Sequence, residues 1–490
     1  MPAANTKHPA DAPVIVWFRQ DLRLADNPAL TAAVGAGRPV ILVYILDDET
    51  PWPMGGASRW WLHGSLSALA ADIEARGGRL TLRRGPSART IAALVAETRA
   101  AAVFWNRCYE PAAVARDTGL KKELTDSGVA AESFNAALLF EPWEVRTGGG
   151  GPFKVYSPFW RASLARGVDR HVLPAPRAIP SGAAVSSASL EDFNLLPRKP
   201  DWAGGMRAAW TPGEAGARRL LDAFLEGALE GYGDRRNRPD IVGTSRLSPH
   251  LHFGEIGPRQ IWNAVEAHVE AHPGRRKDGD KFLSEIGWRE FSTHLLFHNP
   301  DLPEANWKAT FDAFPWENNP EGLEAWKRGR TGYPIVDAGM RELWVTGWMH
   351  NRVRMIVASF LIKDLMVHWR EGEAWFWDTL VDADLANNAA SWQWVAGSGA
   401  DAAPYFRIFN PVTQGETYDP GGDYVRRWIP EIAALPDKVI HKPWTATPEV
   451  LSAAGVDLGR TYPRPIVDHG EARQRALAAY KSIAGASAGE

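Results

Sequence analysis

A single cysteine, Cys108, stands among the 490 residues, which excludes a disulfide within the chain, a cysteine-based zinc site and an iron–sulfur cluster. Long apolar runs are missing too. The longest uncharged one, Val40–Leu46, falls far short of the ~20 residues that span a bilayer. The N-terminal MPAANTKHPADAP lacks the basic-then-apolar pattern of a secretory signal, so the expected location is cytoplasmic, without a membrane partner. Glycine is absent where a dinucleotide fold would need it: the turn after the first strand pattern reads RQDLRLADN, and no G-x-x-x-x-G-K-[ST] occurs. Both observations argue against nicotinamide and P-loop chemistry. Neither sign of charge is in excess, with 55 basic against 58 acidic side chains, so a nucleic-acid partner would need a local basic surface. Tryptophan, in contrast, is abundant at 23 residues. Core packing is one use for so many indoles; an aromatic ligand, a stacked base or an electron-transfer role is another.

The remaining composition, 45% apolar and 23% charged, is that of an ordinary soluble protein. Single cores rarely grow past ~250–300 residues, so a chain of this length holds at least two. Over the first 138 residues, apolar strand patterns at 14–18, 39–46, 79–83 and 101–105 alternate with helical ones at 62–76, at 91–99 and after Pro111. That alternation predicts an α/β domain, a doubly wound, Rossmann-like parallel sheet covered on both faces. Residues 139–213 break into Gly, Pro, Ser and Ala clusters without a sustained period and read as an interdomain connector wrapping the surface. From 214 to 490 the periods are helical, at 215–231, 258–268, 281–298, 333–346, 350–371 and 374–380, so the second domain is expected to be large and all-α. No repeat of 20–50 residues is visible.

The unusual clusters concentrate in the second half. Glu285, Trp288 and Arg289 fall at i, i+3 and i+4, placing a carboxylate, an indole and a guanidinium on one helix face. Asn351 and Met355 share a face, with Arg352 and Arg354 beside them, a pattern that fits a charged helix start or a site. Asp382 and Asp384 precede Asn387, Asn388, Trp392 and Trp394. Paired acids can serve as acid and base, as metal ligands or as caps. No histidine lies within ten residues to complete a metal set, and a polar frame around an aromatic ring fits better. Thr244, Ser245 and Ser248 with Arg246 can cap a helix or hold a phosphate.

These motifs together carry a resemblance. VWFRQDLRLADNPAL, TSRLSPHLHFGE, WREF, TGYPIVDAGMREL, GWMHNRVRM, WREGE and APYFRIFNPVTQGETYDPGGDYVRRWIPE closely resemble the photolyase/cryptochrome flavoprotein family, and within it the photolyases acting on cyclobutane pyrimidine dimers. The resemblance covers nearly the whole chain. It implies an antenna domain followed by a helical domain that buries FAD. Tyr232, Thr244, Ser245, Arg246, Leu247 and Ser248 match the segment holding the FAD diphosphate. Arg289, Asn351, Arg354, Asp382, Asp384 and Asn388 match positions lining the flavin.

The same resemblance implies that Glu285 hydrogen-bonds a flipped-out dimer between Trp288 and Trp394, with Asn351, Arg352 and Met355 completing the pocket. Trp392, Trp369 and Trp316 match a chain of tryptophans that relays an electron to the flavin. Asn388 is the usual photolyase residue beside the flavin, where plant-type cryptochromes carry aspartate. Asn351 and Met355 stand where enzymes repairing (6-4) photoproducts need histidines. Glu110, just after a strand in WNRCYEP, matches a carboxylate that binds the pterin of methenyltetrahydrofolate; that folate is the expected antenna, with a deazaflavin second. The expected partner is DNA containing pyrimidine dimers, bound by a monomer through basic candidates at Arg235, Arg236, Arg238, Arg275, Arg276, Lys277, Arg352, Arg426 and Arg427. A cryptochrome-type blue-light photoreceptor on the same fold is the alternative; it usually has an extended C-terminal tail, whereas only about 20 residues follow His469 here.

Overall fold

Side chains alternate across a strand, and the first strand uses both faces. In the computed structural model, which describes residue 9 and residues 11–402 and 406–486, Val14, Val16 and Phe18 of β1 (Val14–Phe18) join one apolar cluster while Ile15 and Trp17 join another. β2 (Val40–Leu46) divides in the same way, with Leu42 and Tyr44 on one side and Ile41, Val43 and Ile45 on the other. A strand buried on both faces has no need of polar alternation, which is why these runs are continuously apolar. With β3 (Leu80–Arg84), β4 (Ala102–Asn106) and β5 (Ala130–Phe134) they form one parallel sheet in the order β3-β2-β1-β4-β5. The order reverses at β1, as the doubly wound expectation requires. β5 has no counterpart in the sequence reading. Its AAESF is an edge strand of exposed and half-buried residues, neither branched nor alternating, and only its register against β4 makes it a strand.

Two further differences concern the helices. The segment at 350–371, expected as one helix, is two. Asn351–Ser359 runs on through a wider π turn, Phe360–Asp364, and stops where Met366 takes a left-handed φ of 55°. A new helix, Trp369–Thr379, starts with the His368 ring capping the Arg370 N–H at 3.2 Å. Tertiary ties hold the break: the Asp364 carboxylate meets His469 at 2.5 Å, and the Met366 carbonyl accepts from the Glu317 N–H at 2.9 Å. The connector carries a helix of its own, Tyr156–Arg166. It packs on the Arg276–His298 helix so closely that a Cβ on Gly287 would lie 2.6 Å from the Trp160 ring. Among the described residues no helix is long and apolar enough to cross a membrane.

Buried polar side chains bolt the two regions together. Arg23, 1% exposed, donates to the carbonyls of Ala25, Asp26, Ala136 and Gly254. Glu255 accepts from the Trp61 indole at 3.0 Å and from the Gly213 N–H at 2.7 Å, and also meets His250. Glu290 accepts the N–H groups of Leu139 and Phe140, just beyond the last strand of the sheet. Burial pushes the Glu290 carboxyl up to about 7, against the lowering influence of Arg289 and of those N–H groups.

A carboxyl whose pKa is higher folded than unfolded binds its proton more tightly in the native state. Its stabilising contribution is therefore complete below an ordinary glutamate pKa and is lost as pH rises through about 7. Urea unfolding should show stability falling across that window, and Glu290→Gln should flatten the fall. An unchanged slope in the variant would assign the pH dependence elsewhere.

Candidate functional site

The two acids and two amides of VDADLANN meet at the start of one helix. Asp384 caps Leu385–Ala396, accepting from the Asn387 backbone N–H and side-chain amide, each at 2.8 Å. Burial alone would raise the Asp384 carboxyl, but the charge of His252, whose ring nitrogen lies 3.9 Å away, the charge of Arg289 and the Asn387 N–H outweigh it and hold the pKa at about 2. Asp382 receives Arg354 through both carboxylate oxygens, at 3.1 and 2.8 Å. One turn into the helix, the Asn388 amide donates to the Glu373 carbonyl at 3.1 Å. These groups line a cavity of about 200 Å³ together with Asn351, Met355 and Trp392.

Glu373 is a residue that sequence reasoning passed over. Its carboxyl is pushed up to about 8 by burial, against the charge of Arg370, and one of its oxygens is buried without a hydrogen-bond partner among the described residues. Glycine next to it in WREGE is the signal that was available. A Cβ at Gly372 would run into the six-membered ring of Trp392, so only glycine lets the Trp369–Thr379 helix pass that indole.

Glu285 lies on the Arg276–His298 helix as the spacing predicted, with Trp288 and Arg289. Its carboxylate is held by Arg236, with one contact at 2.9 Å, and by Lys281 at 3.3 Å. Arg352 stands near, donating to Asn237 at 3.0 Å with its guanidinium 4.5 Å over the Tyr418 ring. Trp288 is braced from behind by Tyr156 of the connector helix, the rings stacked at 3.7 Å and 9°. Asp401 links the two apolar walls: its carboxylate accepts the Tyr156 N–H at 3.1 Å and its carbonyl accepts the Trp394 indole N–H at 3.1 Å. Tyr156 carries no signal in sequence, because it sits in a stretch without period.

Other candidates spread outward. Arg289 does not line the cavity and donates to the Ala137 carbonyl at 2.6 Å. In the segment expected to hold a diphosphate, Ser245 accepts from the Leu247 N–H at 3.4 Å, Ser248 accepts from the Trp348 indole at 3.2 Å, and Leu247 and Tyr232 are buried. Thr244 opens the segment beside them. Arg246, at a φ of 54°, lays its guanidinium over Trp210 at 4.3 Å and Trp348 at 5.0 Å, and its buried Nε has no hydrogen-bond partner among the described residues. The three relay candidates form a series from half-buried to buried. Trp316 contacts His368 at 4.8 Å, and His368 contacts the fully buried Trp369 at 5.6 Å. Trp392 rests on Gly372, one turn along the same helix. His368 is the ring between the tryptophans that sequence did not supply.

Glu110 lies in the turn after β4, at the N-cap of the Pro111–Asp126 helix, where it accepts from Gln20 at 3.1 Å. It lines a cavity of about 140 Å³ between the two regions, with Trp52, Cys108, His252 and Trp377. Ala383 lines both this cavity and the one beside Asn388. Burial and the neighbouring Asp384 charge raise the Glu110 carboxyl.

Residues 14–179 match a family profile described as DNA photolyase, and residues 282–482 one described as the FAD binding domain of DNA photolyase. A deoxyribodipyrimidine photo-lyase of Agrobacterium fabrum is 54% identical over 96% of this chain and 98% of its own length. The crystal structure of a bacterial class III photolyase from Agrobacterium tumefaciens superposes with a TM-score of 0.94 at 53% identity, covering 99% of this chain and 100% of that one. Cryptochrome-1 of Arabidopsis thaliana is 42% identical over 94% of this chain and 69% of its own length. The chain belongs to the DNA photolyase/cryptochrome family.

For a member of this family the group to be housed is FAD, and the residues present fit it. Carboxylates and amides surround a cavity sized for a ring system rather than for a whole dinucleotide. The hydroxyl-rich Thr244–Ser248 segment supplies donors of the kind a diphosphate needs, and the lone Arg246 Nε and Glu373 oxygen are polar atoms still without partners. In this photolyase-family fold, Gly372→Ala should push Trp392 toward the cavity. We expect a loss of about 1–3 kcal/mol, as for an overpacked core, together with a lower ratio of flavin to protein absorbance after purification. Wild-type stability and flavin content would show that the helix can give way.

Proposed function

We propose that this chain repairs cyclobutane pyrimidine dimers in DNA by light-driven electron transfer. The observation that carries this reading is the shared cavity: Asn351 and Met355, assigned to the dimer, line the same 200 Å³ space as Arg354, Asp382, Asp384 and Asn388, assigned to the flavin. The chemistry FAD supplies when bound is a single electron, given by its fully reduced form under blue light and recovered after the cyclobutane ring has opened. The protein's part is positioning. Trp288 and Trp394 offer apolar faces to a flipped-out dimer whose stacking is already damaged, which lowers the few kcal/mol that extrusion normally costs. Glu285 offers hydrogen bonding to a thymine carbonyl or imide where negative charge develops. Because Arg236 and Lys281 hold that carboxylate, DNA phosphates that draw these cations away release Glu285 toward the base. Trp316, Trp369 and Trp392 pass an electron inward when the flavin needs reducing.

Glu110 and its cavity at the domain boundary support methenyltetrahydrofolate as the antenna, with a deazaflavin second. The relatives also favour a second reading, a blue-light photoreceptor, since a plant cryptochrome is 42% identical. A repair assay separates the two: reduced protein and DNA carrying a defined dimer, in blue light or darkness. Repair in light alone is expected, and intact dimers after illumination would leave the photoreceptor reading.

Glu285→Ala should retain FAD and lose about tenfold to a hundredfold in dimer affinity or quantum yield, from the ~1.5–3 kcal/mol of a charge-assisted hydrogen bond. Normal repair by this variant would remove Glu285 from the mechanism. Trp392→Phe should slow photoreduction of bound FAD while chemically reduced protein still repairs. Photoreduction at the wild-type rate would break the relay assignment.

A further inference from the structure

Two neighbouring residues of the Trp369–Thr379 helix serve different cavities. Phe376 lines the one beside Asn388, whereas Trp375 lines another of about 650 Å³, bounded by the Pro320–Lys327, Pro334–Thr346 and Asp423–Trp428 helices. This volume is that of a small-molecule site, typically ~300–1,000 Å³. None of the residues assigned above to FAD, dimer or antenna lines it.

Its walls are aromatic and its rim is cationic. Trp344 and Trp375 lie parallel, with centroids 6.0 Å apart and 5° between planes, and Trp344 is 55% exposed. A ring that exposed gains little from packing, yet its face is held flat by its neighbour. Trp428 adds a third indole, whose N–H is buried without an acceptor among the described residues. Two of the four rim cations are neutralised, Arg328 by Glu324 and Arg341 by Glu431. Lys327 and Arg330 have no carboxylate partner among the described residues, and Lys327 sits 5.1 Å over the Trp375 ring. A ligand matching this arrangement presents a flat π-face to the indoles and a negative group to the two free cations.

We propose that this cavity is a second ligand site, for a planar heteroaromatic anion of the mononucleotide class. The proposal is independent of the repair reading. The shared chemistry of base and phosphate could also come from a DNA strand, but Arg236 and Arg352, the cations beside Glu285, do not line this cavity.

The test is equilibrium dialysis and indole fluorescence on the FAD-loaded full chain, titrated with AMP and with FMN. One additional saturable equivalent of each is expected. Riboflavin, which lacks the phosphate, and inorganic phosphate, which lacks the ring, should bind about tenfold or more weakly. Trp344→Ala and the pair Lys327→Gln with Arg330→Gln should each weaken AMP binding by a similar factor while FAD content and light-driven repair stay unchanged. The absence of saturable binding, equal binding by those variants, or equal binding of inorganic phosphate would overturn the proposal. Displacement of AMP by undamaged single-stranded DNA would overturn it too, by making the cavity part of the DNA track.

Discussion

The site depends on a buried polar seam between the sheet and the helices. Apolar packing alone tolerates sliding, because dispersion and the hydrophobic effect have little directionality. Arg23, Glu255 and Glu290 remove that freedom. Each is buried, and each has several hydrogen bonds that can be made in only one relative placement of the two regions. Breaking any of them leaves a charged or polar group stranded, a far larger penalty than the net gain of making it. The consequence is functional: the carboxyl ends of the strands, with Glu110, are fixed against Asp384 and Ala383, so two cavities share a wall. A chromophore in the outer one would have a set distance and orientation to a ring in the inner one, as directed energy transfer requires.

Within the helical region, close approach of backbone to indole has the same organising effect. Gly372 lets Trp392 lie against the Trp369–Thr379 helix, and Gly287 lets the connector helix reach the one carrying Glu285. The second contact explains why a segment without sequence period contributes to the site. Tyr156 backs Trp288, and Asp401 ties Tyr156 to Trp394, so the two indoles proposed as dimer walls are parts of one braced unit rather than independent side chains.

How much of this was legible in sequence follows from where the determinants lie. Continuous apolar runs marked four strands because burial on both faces leaves a local imprint. β5 left none, since an edge strand of Ala, Glu and Ser is defined by its partner. Spacing placed Glu285, Trp288 and Arg289 on one helix, and motif resemblance brought Asn351, Arg354, Asp382, Asp384 and Asn388 together; they do share or border one cavity, apart from Arg289, which turns to the Ala137 carbonyl. The break after Asp364 was invisible, because its causes, His469 and Glu317, are remote in the chain. Tyr156, His368 and Glu373 were missed for the same reason: each matters through a neighbour supplied by the fold.

The electrostatics follow a similar logic. A chain of net charge −3 cannot attract DNA as a whole, and most candidate cations are already committed: Arg236 to Glu285, Arg238 to Asp240, Arg275 to Glu230, Arg276 to Glu266 and Arg426 to Asp437. Arg352 differs, having no carboxylate partner among the described residues, and it stands with Arg236 and Arg354 around His350, whose pKa falls to about 4 through burial and the charges of those arginines. Cations crowded closely enough to repel one another gain most from a phosphate, because binding relieves the repulsion as well as forming the pair. Specificity for a lesion then need not come from base reading at all. On the proposed repair reading, backbone contacts would position the strand, and the Glu285 face would admit only what can leave the stack cheaply.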